Sequence, residues 1–403
     1  METDVASHPK FLVNRDIVLI SGQMLNDRYW TSKQYISHEL IKQNRVLYVE
    51  ANYSFGKLIQ GLMGKSWPVT IFGKLKKEAS GIDVLTPPPR LPWRNHFKWI
   101  GRLNQAILGW KIRKAIGELN YEKPIIWTFL HQTAKVIDAI NHSASIYHCV
   151  DDWPELLPMA KMGNPEQIKR DEWALIIRVG TIFTVSDKLL SHYQLPVGKV
   201  HFIPNGVDTT LFNPDDLPGT VLTEMSNLPR PIIGFSGSLG RWIDIDLIIQ
   251  TARSFPTASV VIIGLNEKNP ETQKLAGEKN IHFLGMKSRS EVPNYIREFD
   301  VCLMPFARTS VGQGLLPLKL FEYLSMGKPI IATNSGSLEI FRDVLYLADD
   351  SSMFIQQVKL AISEVDASLV RKRREKAHEY SWPARIQAYD SAISQSIDSI
   401  KIN

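Results

Sequence analysis

Residues 312–334 read GQGLLPLKLFEYLSMGKPIIATN, and the order of residue types sets out a loop, a helix and a buried strand. Two glycines open the stretch. Pro317 then suits a first helical turn, where its missing N–H would have had no partner in any case. The run LKLFEYLSM has apolar residues at helical spacing and stops at Gly327, a residue suited to a helix C-cap. After Pro329 the run IIAT carries no charge and hardly alternates, as in a strand buried on both faces. A helix delivering the chain into such a strand is one unit of a parallel sheet.

Similar units recur in both directions. The second half of the chain has short β-branched runs at 231–237, 259–264, 280–285, 300–306, 329–334 and 344–349. The first half has them at 16–21, 45–50, 82–87, 124–130, 145–150, 181–186 and 199–205. Helical stretches separate them, such as TSKQYISHELIKQN, whose Tyr35, Ile36, Leu40 and Ile41 share one face. A segment rich in Pro, Asp and Asn (205–231) parts the two series. The expectation is an α/β chain of two doubly wound domains. In such sheets ligands sit outside the carboxyl ends of the strands, so the default site is the cleft between the domains.

At 403 residues the chain is longer than one core supports, which agrees with two domains. Hydrophobic residues at 44% and charged residues at 22% exclude disordered and fibrous classes. Cys149 and Cys302 lie in apolar runs and make neither a disulfide framework nor a cysteine zinc site. No apolar run is long enough to span a bilayer, and IVLI near the start is too short for a signal segment. The expected location is cytoplasmic.

The chemistry concentrates at strand and helix ends. A helix N-terminus after a glycine loop offers free amides and a positive dipole end to an anion. Gly314 and Leu318 frame that end; Lys319 would add a charge against a diphosphate, and Glu322 would accept hydrogen bonds from ribose hydroxyls. A solvated Lys319–Glu322 pair is the plain alternative. In the turn GSLGR, Gly237 and Gly240 would admit phosphate, with Arg241 as a fork-shaped ligand. Arg308 follows another strand end. Asp244-Ile245-Asp246 spells D-x-D but opens a helix, where acidic residues act as caps. On the first-domain side His131, Asp151 and Asp152 follow strands and are candidates for acid–base work. The loop after the first strand offers Gly22, Arg28, Tyr29 and Trp30 to an acceptor.

Taken in order, these pieces resemble the GT-B-fold glycosyltransferases that use nucleotide-sugar donors, in particular the group 1 type of teichuronic-acid and exopolysaccharide biosynthesis. The likeness rests on the pattern KLFEYL-x-x-GKPI and on LGMKSRSEVPNYIREFDVCLMPF (284–306), FSGSLGRWIDIDLIIQTA (235–252), VDDW (150–153), TVSDKL (184–189), HFIPNGVD (201–208) and SWPAR (381–385). It implies two facing Rossmann-like domains: 1–205 for the acceptor, joined by a tail helix at 381–403, and 206–380 for the donor. It further implies transfer of a sugar from a nucleoside diphosphate sugar to a glycan or lipid-linked acceptor, without metal or cofactor. Many relatives carry two glutamates eight positions apart. Glu322 fits the later position, and the earlier holds Gly314, which leaves the stereochemical outcome open. Two other readings share the fold, a nucleotide-sugar 2-epimerase and a non-catalytic nucleotide-sugar-binding subunit. A dehydrogenase is weakest, since no strand runs into G-x-G-x-x-G.

The charge is uneven. The whole chain has 47 basic and 41 acidic residues, or +6. Residues 57–118 hold 12 basic and 3 acidic residues, or +9, interleaved with Trp67, Trp93, Trp99 and Trp110, so the remainder is −3. That composition fits a membrane-facing surface. A helix pair burying its aromatics is the alternative. Nothing resembles a nucleic-acid-binding motif, so no nucleic-acid partner is expected.

Overall fold

The structure is a computed structural model and describes residues 10–52, 73–92, 98–159, 163–189, 193, 195, 198–219, 222–266, 269–309 and 316–402. The first sheet has eight strands: β1 (Asp16–Ile20), β2 (Arg45–Val49), β3 (Lys74–Lys77), β4 (Asp83–Thr86), β5 (Ile125–Thr128), β6 (Ala144–Cys149), β7 (Thr181–Thr184) and β8 (Val200–Phe202). Their order is β3-β4-β2-β1-β5-β6-β7-β8, and every pair is parallel except β3 with β4. Side chains alternate across it. Ile17 and Leu19 face one core, built with helix α1 (Ser32–Leu40) and the tail; Val18 and Ile20 face the other, beneath α2 (Lys98–Glu118), α3 (Ala134–Ala139) and α5 (Pro165–Ile176). A short helix α4 (Trp153–Met159) follows β6. Each expected run of this half contains a strand. The additional one, β3, reads KLKK and forms an edge, where lysines discourage further strand pairing.

The second sheet is wholly parallel: β9 (Ile232–Ser236), β10 (Ser259–Ile263), β11 (Ile281–Gly285), β12 (Val301–Met304), β13 (Ile330–Thr333) and β14 (Tyr346–Ala348), in the order β11-β10-β9-β12-β13-β14. Helices α6 (Ile245–Ser254), α7 (Val292–Glu298), α8 (Leu318–Ser325), α9 (Ser351–Ile362) and α10 (Ala367–Glu379) accompany it. The fold is therefore α/β with two Rossmann-like parallel sheets. Strand order reverses at β1/β5 in one sheet and β9/β12 in the other, and such switch points open a crevice at the carboxyl ends.

The final helix, α11 (Trp382–Ile402), leaves the second domain and packs on the first. Its crossing is pinned by backbone bonds from Val207 N–H to the Tyr380 carbonyl (3.0 Å) and from Trp382 N–H to the Val207 carbonyl (3.1 Å). Trp382, 1% exposed, stacks on Tyr35 of α1 with ring centroids 5.2 Å apart. The domains also meet directly: Asn205 Nδ2 donates to the Leu316 carbonyl (2.9 Å) and Ser337 Oγ to Asp187 (2.9 Å). Among the described residues no helix is long and apolar enough to cross a membrane.

Candidate functional site

A cleft of about 670 Å³ lies between the domains and takes lining residues from both switch points. Its second-domain wall starts at the turn after β9. Gly237 has φ 141°, a conformation costly for any residue with a Cβ, and a Cβ there would stand 2.6 Å from Lys319 Nζ. The absent side chain thus leaves room for the lysine. Lys319 sits in the first turn of α8, its Nζ 4.0 Å from the centre of the Phe235 ring. Among the described residues neither Lys319 nor Glu322 has a side-chain hydrogen bond or ion pair. Burial depresses the Lys319 pKa to about 7, against the opposing pull of Glu322. Burial likewise raises Glu322 to about 7, against Lys319 and Arg289. A cation and an acceptor are held half-buried at an anion-attracting helix end with their hydrogen-bonding capacity unused.

The first-domain wall is made by the β1–α1 loop and the first turn of α1 (Arg28, Tyr29, Trp30, Ser32, Lys33), by Asp151 and Asp152 after β6, and by Ser186 and Lys188 after β7. Burial pushes the Asp151 carboxyl above its ordinary range, with Lys33 pulling the other way. Burial pushes Lys33 down, with Asp151 opposing. Asp152 Oδ1 accepts from the Glu155 N–H (3.3 Å), so this carboxylate also caps α4. Arg289 crosses from the second domain. Its guanidinium lies 4.1 Å from the Trp30 ring centre and 4.8 Å from that of Tyr35, donates to Tyr35 Oη (3.2 Å) and pairs with Asp208.

Of the residues singled out in the sequence, this cleft gathers Arg28, Tyr29, Trp30, Asp151, Asp152, Gly237, Leu318, Lys319 and Glu322. It leaves out five. Gly22 has positive φ, and a Cβ there would meet Leu130 at 2.5 Å, so its close approach is to the protein's own side chain. The room at Gly240 is taken by the Trp242 ring, 2.4 Å from a notional Cβ. Arg241 and Arg308 are exposed outside the lining. His131 is buried (7% exposed) beside the Trp153 ring, 5.4 Å between centres, and also lies outside the lining. Gly314 falls outside the described residues. Asp244 caps α6, its Oδ1 accepting from the Leu247 N–H (2.9 Å). Among the described residues no group of three or more His, Cys, Asp or Glu is placed to hold a metal.

Polar and aromatic lining residues that sequence reasoning missed include Ser32, Lys33, Lys188, Trp242, Lys287 and Arg289.

Residues 230–364 match the family of group 1 glycosyl transferases. TuaH of Bacillus subtilis, which bears the name of a teichuronic acid biosynthesis glycosyltransferase, is 27% identical over 256 residues, covering 59% of this chain. The match spans 63% of that relative's own length. Among solved structures, sucrose-phosphate synthase from Thermosynechococcus elongatus superposes with a TM-score of 0.70 at 14% identity, covering 96% of this chain and 100% of that one. HepE of Anabaena, solved in complex with UDP-glucose, gives 0.65 at 16% identity, covering 95% and 99%.

Proposed function

We propose that this GT-B chain, whose second domain belongs to the group 1 glycosyl transferases, moves a sugar from a nucleoside diphosphate sugar to a glycan or lipid-linked acceptor in cell-surface polysaccharide biosynthesis. The observation that carries the reading is the amino end of α8 opening on the cleft, with Lys319 in its first turn and Gly237 vacating the space in front of it. In this reading 206–380 holds the donor, and 1–205 with the tail 381–403 holds the acceptor. Lys319 and the α8 dipole stabilise the negative charge that builds on the departing diphosphate. Glu322 accepts from the ribose hydroxyls. Arg241 is exposed outside the lining, so the stabilisation is assigned to Lys319 and the α8 amino end. The acceptor hydroxyl approaches Asp151 and Asp152, and one of these carboxylates takes its proton; burial raises the Asp151 carboxyl above its ordinary range.

The reading also places the protein on the cytoplasmic side, in contact with a membrane through 57–118. In support, α2 buries Ile100, Leu108, Ile112 and Ala115 but leaves Trp99 and Trp110 exposed at 62% and 51%, beside Arg102, Arg113 and Lys114. Residues 57–72 and 93–97, which carry Lys57, Lys65, Trp67, Trp93 and Arg94 of that composition, lie outside the described residues.

Incubation with a panel of uridine and guanosine diphosphate sugars tests the activity. Slow donor hydrolysis or transfer is expected, falling at least about 100-fold in Lys319→Ala at an unchanged melting temperature. An isomerised donor would make the protein an epimerase. Binding without turnover would make it a binding subunit.

A further inference from the structure

Two helices aim their amino ends at the cleft from opposite walls, α1 from the first domain and α8 from the second, and each has a lysine in its first turn. The donor diphosphate accounts for α8. It leaves the α1 end unexplained, although that end is equipped in the same way. The first intrahelical bond of α1 runs from Tyr35 N–H to the Thr31 carbonyl, so the amides of Ser32 and Lys33 precede the ladder and have no partner within it. Gln34 Oε1 accepts the Thr31 N–H (2.9 Å), which satisfies the residue before them. Ser32 lines the cleft at 5% exposure, and among the described residues its hydroxyl has no hydrogen-bond partner. That hydroxyl is therefore a donor and acceptor open to whatever occupies the cleft.

Lys33 adds the charge. Its ammonium lies 5.9 Å from the centre of the Phe129 ring, and among the described residues it makes no ion pair, Asp151 being the opposite charge it feels most. Three other cations of the lining are already engaged: Arg289 pairs with Asp208, Lys287 with Glu224 (2.6 Å), and Lys188 Nζ donates to the Ser335 carbonyl (3.1 Å); Arg28 is exposed at the rim. Arg28, Lys33, Lys188 and Lys319 have no anion among the described residues, and of these only Lys33 and Lys319 stand in the first turn of a helix that opens on the cleft. One diphosphate accounts for one of these seats.

We infer that the acceptor brings an anionic group of its own, a phosphate or a carboxylate, and that this group seats at the amino end of α1 on the Ser32 hydroxyl, the Ser32 and Lys33 amides and the Lys33 ammonium. The inference rests on the reading that the α8 end takes the donor. The same wall ends at Asp151 and Asp152, so an acceptor anchored by its anion at Lys33 presents a neighbouring hydroxyl to the carboxylates. A neutral sugar would leave Lys33 partly desolvated and unpaired, and the site selects against it for that reason.

The test is calorimetric titration of inorganic phosphate, glucuronate and glucose into protein saturated with whichever of UDP or GDP binds. The two anions are expected to bind and glucose not to. Lys33→Gln should weaken anion binding at least tenfold while leaving nucleotide affinity within about twofold. Lys33→Arg should restore anion binding, which separates charge from a general disturbance of α1. The inference is overturned if the anions displace the nucleotide, if Lys33→Gln weakens the nucleotide as much as Lys319→Ala does, if neither anion binds, or if anion binding ignores Lys33. Should neither nucleotide bind, the donor reading fails by itself, and titration of phosphate into the empty protein with the same variants still decides the α1 seat.

Discussion

Lys319 is a charge kept near its tipping point. Its pKa of about 7 comes first from burial, so in the empty cleft the ammonium is lost as pH rises through neutrality. A bound diphosphate favours the charged form. Binding must therefore take up a proton above pH 7, and linkage gives nucleoside diphosphate affinity that falls by up to about tenfold per pH unit between 7 and 9. Lys319→Arg removes the dependence, because a guanidinium stays charged throughout that range. Fluorescence titration of UDP and GDP at four pH values measures it. A wild-type affinity flat from pH 7 to 9 would mean that Lys319 does not contact the diphosphate.

Among the elements, α11 carries the clearest structural debt. Trp382 is fully buried against Tyr35, and the helix continues through Tyr389 and Ile393 into the first-domain core. Trp382→Ala should cost about 3–5 kcal/mol, read as a lower urea midpoint for the first domain. Nucleotide binding to the second domain, whose core is separate, should survive at concentrations of urea well below that midpoint. The sequence pattern exposed the elements unequally, and for physical reasons. The central strands were legible because strands covered by helices on both faces are apolar throughout. The edge strands β8 and β11, half-exposed with Phe202 and Phe283 at the surface, were legible only as short apolar runs. β3 was not, because an edge reading KLKK is indistinguishable from a loop. The amino end of α8 was legible because glycine, proline and lysine mark it together. The amino end of α1 hid the same device inside Thr-Ser-Lys-Gln, which reads as ordinary capping. A strand-end position fixes which end of the sheet a residue occupies but not the direction of its side chain. That is why Asp151 reaches the cleft while His131 turns to Trp153.

At the scale of the whole molecule, the cleft and the exposed stripe of α2 share one end of the first domain. A helix joining parallel strands runs antiparallel to them, so α2 starts at the carboxyl ends of β4 and β5, where the cleft opens. Trp99 and Leu103 stand near that end, and Trp110 continues the stripe at helical spacing away from it. Arg102, Arg113 and Lys114 flank the stripe, each worth about 1 kcal/mol toward an anionic bilayer and less as salt screens it. A lipid-linked acceptor would then reach the cleft without leaving the surface. Vesicles with about one third anionic lipid should sediment the protein at low salt, and neutral vesicles should not. Trp99→Ser combined with Trp110→Ser should cut the bound fraction by roughly tenfold, since burying an indole at the interface is worth more than one charge pair. Both substitutions lie on the solvent side of α2, so melting temperature and nucleotide affinity should hold. Sedimentation unaffected by the double substitution, or equal on neutral vesicles, would reduce α2 to a solvated cover over the first sheet.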